Sequence, residues 1–518
     1  MKSHISFNFL IALGYLLSIT FLCAAQQRSY KRGVSWQLNN LEDIVALSRG
    51  VSWYYNWAVT TASSDIIYLN HTDYVDFIPM AWNNGYNRTA LRSFLAAHPN
   101  VKYILGFNEP NFKSQARMTP TEAANAWPEI EALADEFNLK IVGPAVNYAA
   151  SNDAVTENGV TYTDPFKYLD DFFVACPGCR VDYIAVHCYM NDPSALSWYV
   201  NKFIDRYKKP VWLTEFCSWE AKAPLSTSKI DGINHQKEAM IRKVEYLELN
   251  PMVAKYAWFT NRTVPIDKFP YHQLMDINAD NSAAKGILTE LGKIYVNMSS
   301  FDSTKFYGVN DTIPAVNYMK SDRLKIESST DSQSKLPIQL AGFEGGAFAD
   351  YFIDIPTAGS YTVTVRMSNH STFNPSFLIY LNGRYIDRKE VELTGGIENW
   401  SNRTFELNFE AGPQTLRLQS NGYTGNKIQW LRISESLTDL KQVSDSDLKL
   451  FVSPEKFLSI NNNYDINKHK LYDMSGRIVL DWSNDNRKYV GSLKGGLYIY
   501  RGYTVSQEIV SRKINLNF

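Results

Sequence analysis

The sequence predicts an α/β fold: a (β/α)8 barrel, then an antiparallel β-sandwich and a small C-terminal β domain. Its 518 residues are too many for one ordinary domain. From residue 33 to about residue 260, short apolar runs alternate with helical stretches, as in a parallel sheet buried on both faces. From about residue 336, alternation of apolar and polar residues at period 2 replaces that pattern.

Apolar runs at eight positions predict the barrel strands, because eight parallel strands close into a barrel more readily than into an open sheet. In chain order the predicted strands are residues 33–36, 51–57, 76–82, 103–109, 140–146, 182–189, 210–216 and 255–259. Helical periodicity lies between them, as in residues 119–137 and 235–249. No glycine-rich phosphate loop follows the first strand, which disfavours nucleotide binding. We assign residues 26–299 to this domain.

The remainder of the chain divides by composition. Residues 300–335 are rich in Ser, Thr and Asp and are predicted to be a linker. Residues 336–435 contain period-2 strands separated by turn sequences such as Asn382-Gly383, as in a β-sandwich. Residues 450–518 are predicted to form a small β domain.

The N-terminus has the pattern of a signal peptide covering residues 1–25. Lys2 precedes an apolar run over residues 7–22, and small residues stand just before Gln26. A membrane anchor is the alternative, but the run is short for a span and no other stretch is long enough. Lipid attachment at Cys23 is a further alternative. We expect a secreted or cell-surface protein without an integral membrane segment in the mature chain.

Charge and cysteine content exclude several functions. The formal net charge is -1 and no basic block occurs, so we expect no nucleic-acid partner. We interpret Cys176-Pro-Gly-Cys179 as a structural loop clip, because it precedes a strand, whereas a thioredoxin-like motif opens a helix; a zinc site would need a second ligand pair. Whether these two cysteines, or Cys188 and Cys217, form disulfides stays open.

Two predicted strand ends carry glutamate. The fourth strand ends in Asn108-Glu109 and the seventh in Thr214-Glu215. In a (β/α)8 barrel, polar residues at the carboxyl ends of strands form the active site, and strands four and seven face each other across its mouth. Cleavage of an acetal requires one protonated and one ionised carboxyl group. The sequence therefore predicts a glycosidase, with Glu109 protonated beside an ionised Glu215; a structural ion pair is the alternative for each glutamate.

Candidate substrate contacts follow from position. His187 and Tyr189 end the sixth strand, and we expect only one of them to face the mouth, favouring Tyr189. Aromatic rings at a barrel mouth can stack on the C–H faces of sugars. The candidate rings are Trp53, Tyr54, Trp57, Trp82, Trp219 and Trp258, of which we favour Trp82, Trp219 and Trp258.

The barrel resembles the Asl1-like catalytic domains of glycoside hydrolase family 128, in clan A. The matching stretches are VSWYYNW, FIPMAWN, LGFNEPN, CPGCRVDYIAVHCY and VWLTEF. The resemblance implies an endo-β-1,3-glucanase with Glu109 as acid/base, Glu215 as nucleophile and Asn108 holding a sugar hydroxyl. Cys188 departs from the family, which often has Trp between the His and the Tyr, and this puts one wall of the sugar site in doubt.

The sandwich is similar to a carbohydrate-binding module of family 6, on stretches such as ADYFIDIP and NKIQW. This resemblance implies that Tyr351, Trp400 and Asn426 bind sugar; a spacer without binding is the alternative. Some relatives hold a structural calcium ion, whose ligands the sequence does not locate. We predict no other cofactor and no metal.

The final segment resembles the C-terminal sorting domains of the type IX secretion system of Bacteroidetes, on LYDMSGR and GLY. The whole sequence thus predicts a secreted, retaining glycoside hydrolase acting on a polysaccharide, a β-glucan. Two alternatives remain: a catalytically inactive glycan-binding surface protein, and the same hydrolase chemistry on another β-glycan linkage.

Overall fold

A computed structural model describes most of the chain after the predicted signal peptide. The described residues are 28–38, 40–61, 75–219, 229–262, 271–276, 285–370, 373–436, 441–442, 448–462, 466–474, 476–504 and 509–517. The predicted signal peptide, residues 1–25, lies outside them. In the described part of the chain, no helix combines the length and the apolar character needed to span a membrane.

The first domain is an eight-stranded parallel sheet that curls into a barrel, which confirms the predicted fold class. Its strands are β1 Arg32–Ser35, β2 Trp53–Tyr55, β3 Asp76–Phe77, β4 Tyr103–Leu105, β5 Lys140–Val146, β6 Tyr183–Cys188, β7 Val211–Phe216 and β8 Val253–Phe259. Their order in the sheet is β3-β2-β1-β8-β7-β6-β5-β4. A parallel bridge between Met80 and Leu105 joins the two ends of this order and closes the barrel. Several strands are shorter than predicted; β4, for example, ends at Leu105 rather than at Glu109.

Helices alternate with these strands on the outside of the barrel. They are α1 Leu41–Ser48, α2 Arg88–Ala97, α3 Pro120–Glu136, α4 Pro165–Ala175, α5 Pro193–Tyr207, α6 Lys229–Leu249 and α7 Glu290–Asn297. Local sequence signals fix several helix starts. Thr119 caps α3 in a capping box with Glu122, and Asp164 and Asp192 cap α4 and α5 ahead of a proline at the first helical position.

The second domain consists of two antiparallel sheets, as predicted for a β-sandwich. One sheet holds, in spatial order, Lys325–Ser328, Ile338–Glu344, Tyr423–Glu435, Gly359–Asn369 and Gly396–Phe409, with the short strand Ile313–Pro314 also paired to Tyr423–Glu435. The other holds Lys320–Asp322, Phe348–Ile355, Gly412–Ser420, Ser376–Leu381 and Arg384–Glu390. Because three short strands of residues 300–335 pair with this domain, the predicted linker is in part sandwich.

The C-terminal β domain is formed by the last part of the chain. Its larger sheet holds Lys441–Gln442, Ile509–Leu516, Gly496–Thr504, Ile466–Asp473 and Ile478–Ser483, and its smaller sheet holds Leu448–Val452, Phe457–Asn462 and Arg487–Tyr489. Leu458, Leu471 and Tyr500 are at the centre of its own apolar core. By compactness, the described residues divide into one unit (up to 354, 364–403 and 412–432) and another (355–363, 404–411 and 433 onward).

Candidate active site

The barrel brings Glu109 and Glu215 together at the carboxyl ends of its strands. One carboxylate oxygen of each, together with a ring nitrogen of His187, lies within 4.8 Å of the other two atoms. Glu109 follows β4 in the chain, and its backbone N–H donates to Ala145 O at 2.8 Å. Its φ of 41° lies in the left-handed region, which costs a non-glycine residue free energy and is often found at functional sites.

Glu215 accepts hydrogen bonds from three side chains. The Tyr55 hydroxyl donates to Oε1 at 2.9 Å, the Trp57 indole N–H donates to the same oxygen at 2.8 Å, and the Tyr189 hydroxyl donates to Oε2. An indole N–H can only donate, so Oε1 acts as an acceptor. Burial raises the pKa of the Glu215 carboxyl, while His187, Tyr189 and Trp57 act in the opposite direction by favouring its ionised form.

His187 lies between the two glutamates. Its Nδ1 is 2.9 Å from Glu109 Oε1 and 3.3 Å from Glu215 Oε2. Burial alone would lower the pKa of this imidazole, but the negative charges of Glu215 and Glu109 outweigh that effect, and the pKa lies above its ordinary value. The ring is fully buried.

Asn108 has an amide oxygen that is buried and has no hydrogen-bond partner among the described residues. Its Nδ2 lies 3.4 Å from Gln115 Oε1, which orients the amide. An unsatisfied buried oxygen is costly, so this atom is available to a donor that enters the cleft.

The two glutamates lie in a cleft of about 540 Å³. Rings and amides surround them. The lining residues are Trp57, Trp82, Asn108, Glu109, Phe112, Gln115, Asn147, Tyr148, Tyr189, Glu215, Trp219 and Phe259. Of the predicted substrate contacts, Asn108, Tyr189, Trp57, Trp82 and Trp219 lie on this surface.

Three predicted rings do not line the cleft. Trp258 is fully buried on the outer face of β8, where its indole N–H donates to His272 O at 2.8 Å. Tyr54 points outward from β2 and packs on Phe77 at a centroid distance of 5.3 Å. Trp53 points inward but is fully buried in a deeper layer of the barrel, against Trp212 at 5.2 Å. Alternation along a strand explains Trp258 and Tyr54: the adjacent residue is the one that faces inward.

Of His187 and Tyr189, only Tyr189 lines the cleft, as favoured from the sequence, whereas His187 is fully buried; both side chains nevertheless contact the glutamates. Residues two apart on a strand share a face. Cys188, between them, is fully buried and is not a lining residue of the cleft. The family departure at Cys188 therefore does not alter the wall of the cleft. Cys176 and Cys179 form a disulfide, whereas Cys188 and Cys217 are not disulfide-bonded.

Several lining residues were not predicted from the sequence. Nor was Tyr55, which donates to Glu215 without lining the cleft; it shares the inward face of β2 with Trp53, so counting by two along that strand would have found it. Phe112, Gln115, Asn147 and Tyr148 lie in loops after β4 and β5, where no periodic pattern indicates the direction of a side chain.

The sandwich residues nominated for sugar binding have different surroundings. Tyr351 is fully buried, and its hydroxyl donates to Ala315 O at 2.8 Å, so its ring offers no surface to a ligand. Trp400 is half-buried, with its indole N–H 3.2 Å from Thr330 Oγ1. Asn426 is fully buried, and neither amide atom has a partner among the described residues.

Glu109, His187 and Glu215 are also spaced closely enough to ligate a metal ion. Two carboxylates and one imidazole are ligands that zinc accepts. However, both oxygens of Glu215 already accept hydrogen bonds from protein side chains, and a metal ion would have to compete with these donors. The predicted absence of a metal stays a prediction, as does a calcium ion in the sandwich.

Comparison with protein families matches two regions of the chain. Residues 33–295 match the family described as glycosyl hydrolase catalytic core, and residues 314–435 match the carbohydrate binding module of family 6. Alkali-sensitive linkage protein 1 of Schizosaccharomyces pombe is 27% identical over 285 residues, which cover 52% of this chain and 45% of that protein. The chain thus matches less than half of that relative's length.

Solved structures also resemble the chain. Two endo-β-1,3-glucanases of glycoside hydrolase family 128, subgroup II, are each 36% identical and covered to 98%, with 52% of this chain covered. The enzyme from Sorangium cellulosum gives a TM-score of 0.43 and that from Pseudomonas viridiflava 0.45. A subgroup I enzyme from Amycolatopsis mediterranei, in complex with laminaritriose, is 24% identical over 51% of this chain and 98% of its own, with a TM-score of 0.37.

Proposed function

The chain belongs to the glycosyl hydrolase catalytic core family, and we propose that it is a retaining endo-β-1,3-glucanase with Glu109 as acid/base and Glu215 as nucleophile. The coarser function, a glycoside hydrolase joined to a carbohydrate-binding module, follows from the two family matches. The linkage, the stereochemistry and the residue roles are the proposal.

The close approach of the two carboxyl groups is the observation that carries the mechanism. Their nearest oxygens lie within 4.8 Å. Retaining glycosidases hold this pair roughly 5–5.5 Å apart, whereas inverting enzymes leave room for a water molecule at roughly 6.5–9.5 Å. The short separation supports direct attack by one carboxylate on the sugar.

Different surroundings support different roles for the two glutamates. Glu215 accepts from Tyr55, Trp57 and Tyr189, and such contacts stabilise a carboxylate rather than a carboxylic acid. Glu109 has one described side-chain hydrogen bond, to His187, and lines the open cleft. Glu215 therefore suits an ionised nucleophile, and Glu109 suits a group that exchanges a proton.

The reaction takes two steps. Glu109 protonates the glycosidic oxygen while a Glu215 oxygen attacks the anomeric carbon; the leaving chain departs and a glycosyl ester forms. In the second step Glu109 removes a proton from water, the water oxygen attacks the same carbon, and Glu215 is released as a carboxylate. Asn108, with its unpaired oxygen beside Glu109, is placed to accept a hydrogen bond from a sugar hydroxyl.

Two arguments support a β-1,3-glucan as the substrate. The two subgroup II endo-β-1,3-glucanases share 36% of their residues with this chain over 98% of their own length. Rings of Trp57, Trp82 and Trp219 line the cleft, and such rings pack on the apolar faces of glucose units.

Hydrolysis of defined glucans tests the proposal. The purified protein should release reducing ends from laminarin-type β-1,3-glucan and little from β-1,4-glucan. Glu215→Gln should lower the rate by at least roughly 10³-fold. Glu109→Gln should lose much less on an aryl glycoside than on glucan, because a good leaving group needs no protonation.

Further results would test the stereochemistry of the reaction and distinguish the alternative functions. NMR of the first-formed product should show the β anomer; the α anomer would reject the covalent mechanism. No release from any β-glucan would instead favour the inactive glycan-binding protein, and release from another linkage only would correct the substrate. Activity that survives Glu215→Gln would reject the assigned nucleophile.

We also propose that the protein is exported and that its C-terminal domain is read by a secretion system of type IX. The support is the pattern of residues 1–25 and the LYDMSGR and GLY stretches. N-terminal sequencing of protein recovered outside the producing cell should begin at Gln26. Full-length protein retained in the cytoplasm with Met1 intact would reject export.

A further inference from the structure

Lys243 is a buried cation on α6, behind the loops that follow β6 and β7. Its side chain is fully buried. The ammonium group makes no ion pair with a carboxylate of the described residues and donates instead to Met190 O at 2.5 Å, Cys217 O at 3.0 Å and Ser218 Oγ at 2.9 Å. A lysine ammonium has three N–H donors, and three acceptors use all of them.

The three acceptors belong to the two loops that carry residues of the cleft. Met190 follows Tyr189, which donates to Glu215 Oε2. Cys217 and Ser218 stand between Glu215 and Trp219 in the chain. One side chain thus bonds to both loops within a few residues of the proposed nucleophile.

Other hydrogen bonds join the same two loops. Three successive carbonyl groups of the β6 loop each accept from the β7 loop or from α6. These bonds are Trp219 N–H to Tyr189 O at 3.2 Å, Lys243 Nζ to Met190 O, and Ser218 Oγ to Asn191 O at 3.2 Å. Ser218 Oγ accepts from Lys243 and donates to Asn191 O, so this hydroxyl links the ammonium group to the β6 loop.

A second residue of α6 supports this junction. Gln236 lies two helical turns before Lys243, on the same side of the helix. Its Oε1 accepts from Ser218 N–H at 3.0 Å, and its Nε2 donates to Ser218 O at 3.1 Å. The backbone of Ser218 is therefore fixed to α6 at both its N–H and its carbonyl.

The charge of Lys243 has a structural consequence. Burial lowers the pKa of its amino group to about 8, and the titratable groups that face it are the Cys217 and Cys188 thiols and the Asp192 carboxyl. A neutral amine would have only two N–H donors and a lone pair for three acceptors. The junction is complete only when Lys243 is protonated.

We infer that Lys243 is a positioning residue, whose ammonium group joins the β6 and β7 loops and thereby holds Tyr189 against Glu215 and Trp219 against the Tyr189 ring. The catalytic consequence rests on the proposed function; the joining of the loops does not.

Hydrogen–deuterium exchange tests the joining of the loops in the full chain, without any substrate. In Lys243→Met, peptides covering residues 188–192 and 216–219 should both exchange faster, by about tenfold or more at the Ser218 and Trp219 amides. Lys31→Met is the matched control: Lys31 is also buried and donates to three backbone oxygens, those of Leu247, Glu248 and Asn250. It precedes β1, so it lies at the opposite end of the barrel. Unchanged exchange in both loops of Lys243→Met, or the same acceleration in Lys31→Met, would overturn the inference.

Kinetics test whether the junction acts through Tyr189. Lys243→Met should lower kcat by about tenfold or more, and the two losses should be non-additive when it is combined with Tyr189→Phe, because both changes disturb the same contact. When Lys31→Met is combined with Tyr189→Phe, the two effects on kcat should be additive. If Lys243→Met does not fold, Ser218→Ala removes one acceptor and the bond to Asn191 and is read in the same way. Additive losses would overturn the positioning role. A wild-type protein inactive on every glucan would reject the proposed function, while the exchange result would still decide on the loop junction.

Discussion

Trp57 illustrates how one residue takes two roles in the cleft. Its ring forms part of the cleft wall, and its indole N–H donates to Glu215 Oε1 at 2.8 Å. Its φ of 59° places the backbone in the left-handed region, a conformation that costs free energy unless surrounding contacts maintain it. Those contacts include the rings of Trp36, Tyr55 and Phe259.

We predict that Trp57→Phe shifts the acid limb of kcat/KM to higher pH. The nucleophile must be ionised, and burial already raises the pKa of Glu215. Loss of the N–H donor removes an interaction that favours the ionised form, so the pKa rises further and activity disappears at a higher pH than in the wild type. A hydrogen bond to a charged group contributes about 1.5–3 kcal/mol. At a pH on the acid limb, kcat/KM of Trp57→Phe should therefore be roughly 10- to 100-fold below that of the wild type.

Trp82→Phe is the control for this experiment. Trp82 also lines the cleft, and phenylalanine keeps a ring there, but its indole makes no described contact with Glu215. The acid limb of this variant should match the wild type. An unshifted limb in Trp57→Phe would mean that the indole N–H does not tune the nucleophile.

At the scale of elements, the two ends of the barrel strands have different functions. The lining residues of the cleft stand at the carboxyl ends of the strands from β2 to β8 or in the loops that follow them, as expected for a barrel active site. The loop between α4 and β6 lies at the opposite end and contains the Cys176–Cys179 disulfide. We therefore expect this loop to stabilise the barrel and to take no part in the chemistry at the cleft.

We predict that replacing both cysteines of this loop, Cys176→Ser and Cys179→Ser together, lowers the free energy of unfolding by at most about 2 kcal/mol, because the closed loop is very short. The kcat on β-1,3-glucan should be unchanged. Urea unfolding and initial-rate assays on the same preparations check both statements. A large fall in kcat would contradict the assignment of this loop to a structural role.

At the scale of the whole molecule, the chain combines a hydrolase domain with a carbohydrate-binding module. Such a module is useful on an insoluble polymer, because it keeps the hydrolase near its substrate and raises the effective concentration of cleavable bonds. Among the three sandwich residues nominated from the sequence, Trp400 alone is partly exposed.

We predict that Trp400→Ala weakens retention on insoluble β-1,3-glucan without changing kcat on soluble oligosaccharides. Loss of one ring stacked on a sugar should weaken the module's binding by roughly 5- to 10-fold. Pull-down with insoluble glucan measures retention. Trp198→Ala is the matched control, since Trp198 is an exposed indole (53%) on the barrel helix α5. Equal retention of both variants would remove Trp400 from the binding surface.

The sequence alone determined the fold class and brought the two proposed catalytic glutamates to one end of the barrel. The burial of a strand determines its pattern of apolar residues, so eight apolar runs predict the barrel and the later period-2 alternation predicts the sandwich. Glu109 and Glu215 were found because the carboxyl ends of parallel strands meet at one rim. Tyr189, Trp82 and Trp219 were predicted from their positions at or after strand ends, whereas Asn108 was implied by the family resemblance.

The tertiary structure decided which side chains contact the pair. Whether Trp258 faces inward depends on strand register, and its fully buried position is set by packing against β7 and α7. The donor Tyr55 ends β2 and the donor Trp57 follows it, both far from Glu215 in the chain, so no local pattern could connect them to Glu215. Lys243 on α6 reaches two loops at once. Such contacts join residues distant in sequence, and only the closed barrel brings them within hydrogen-bonding distance.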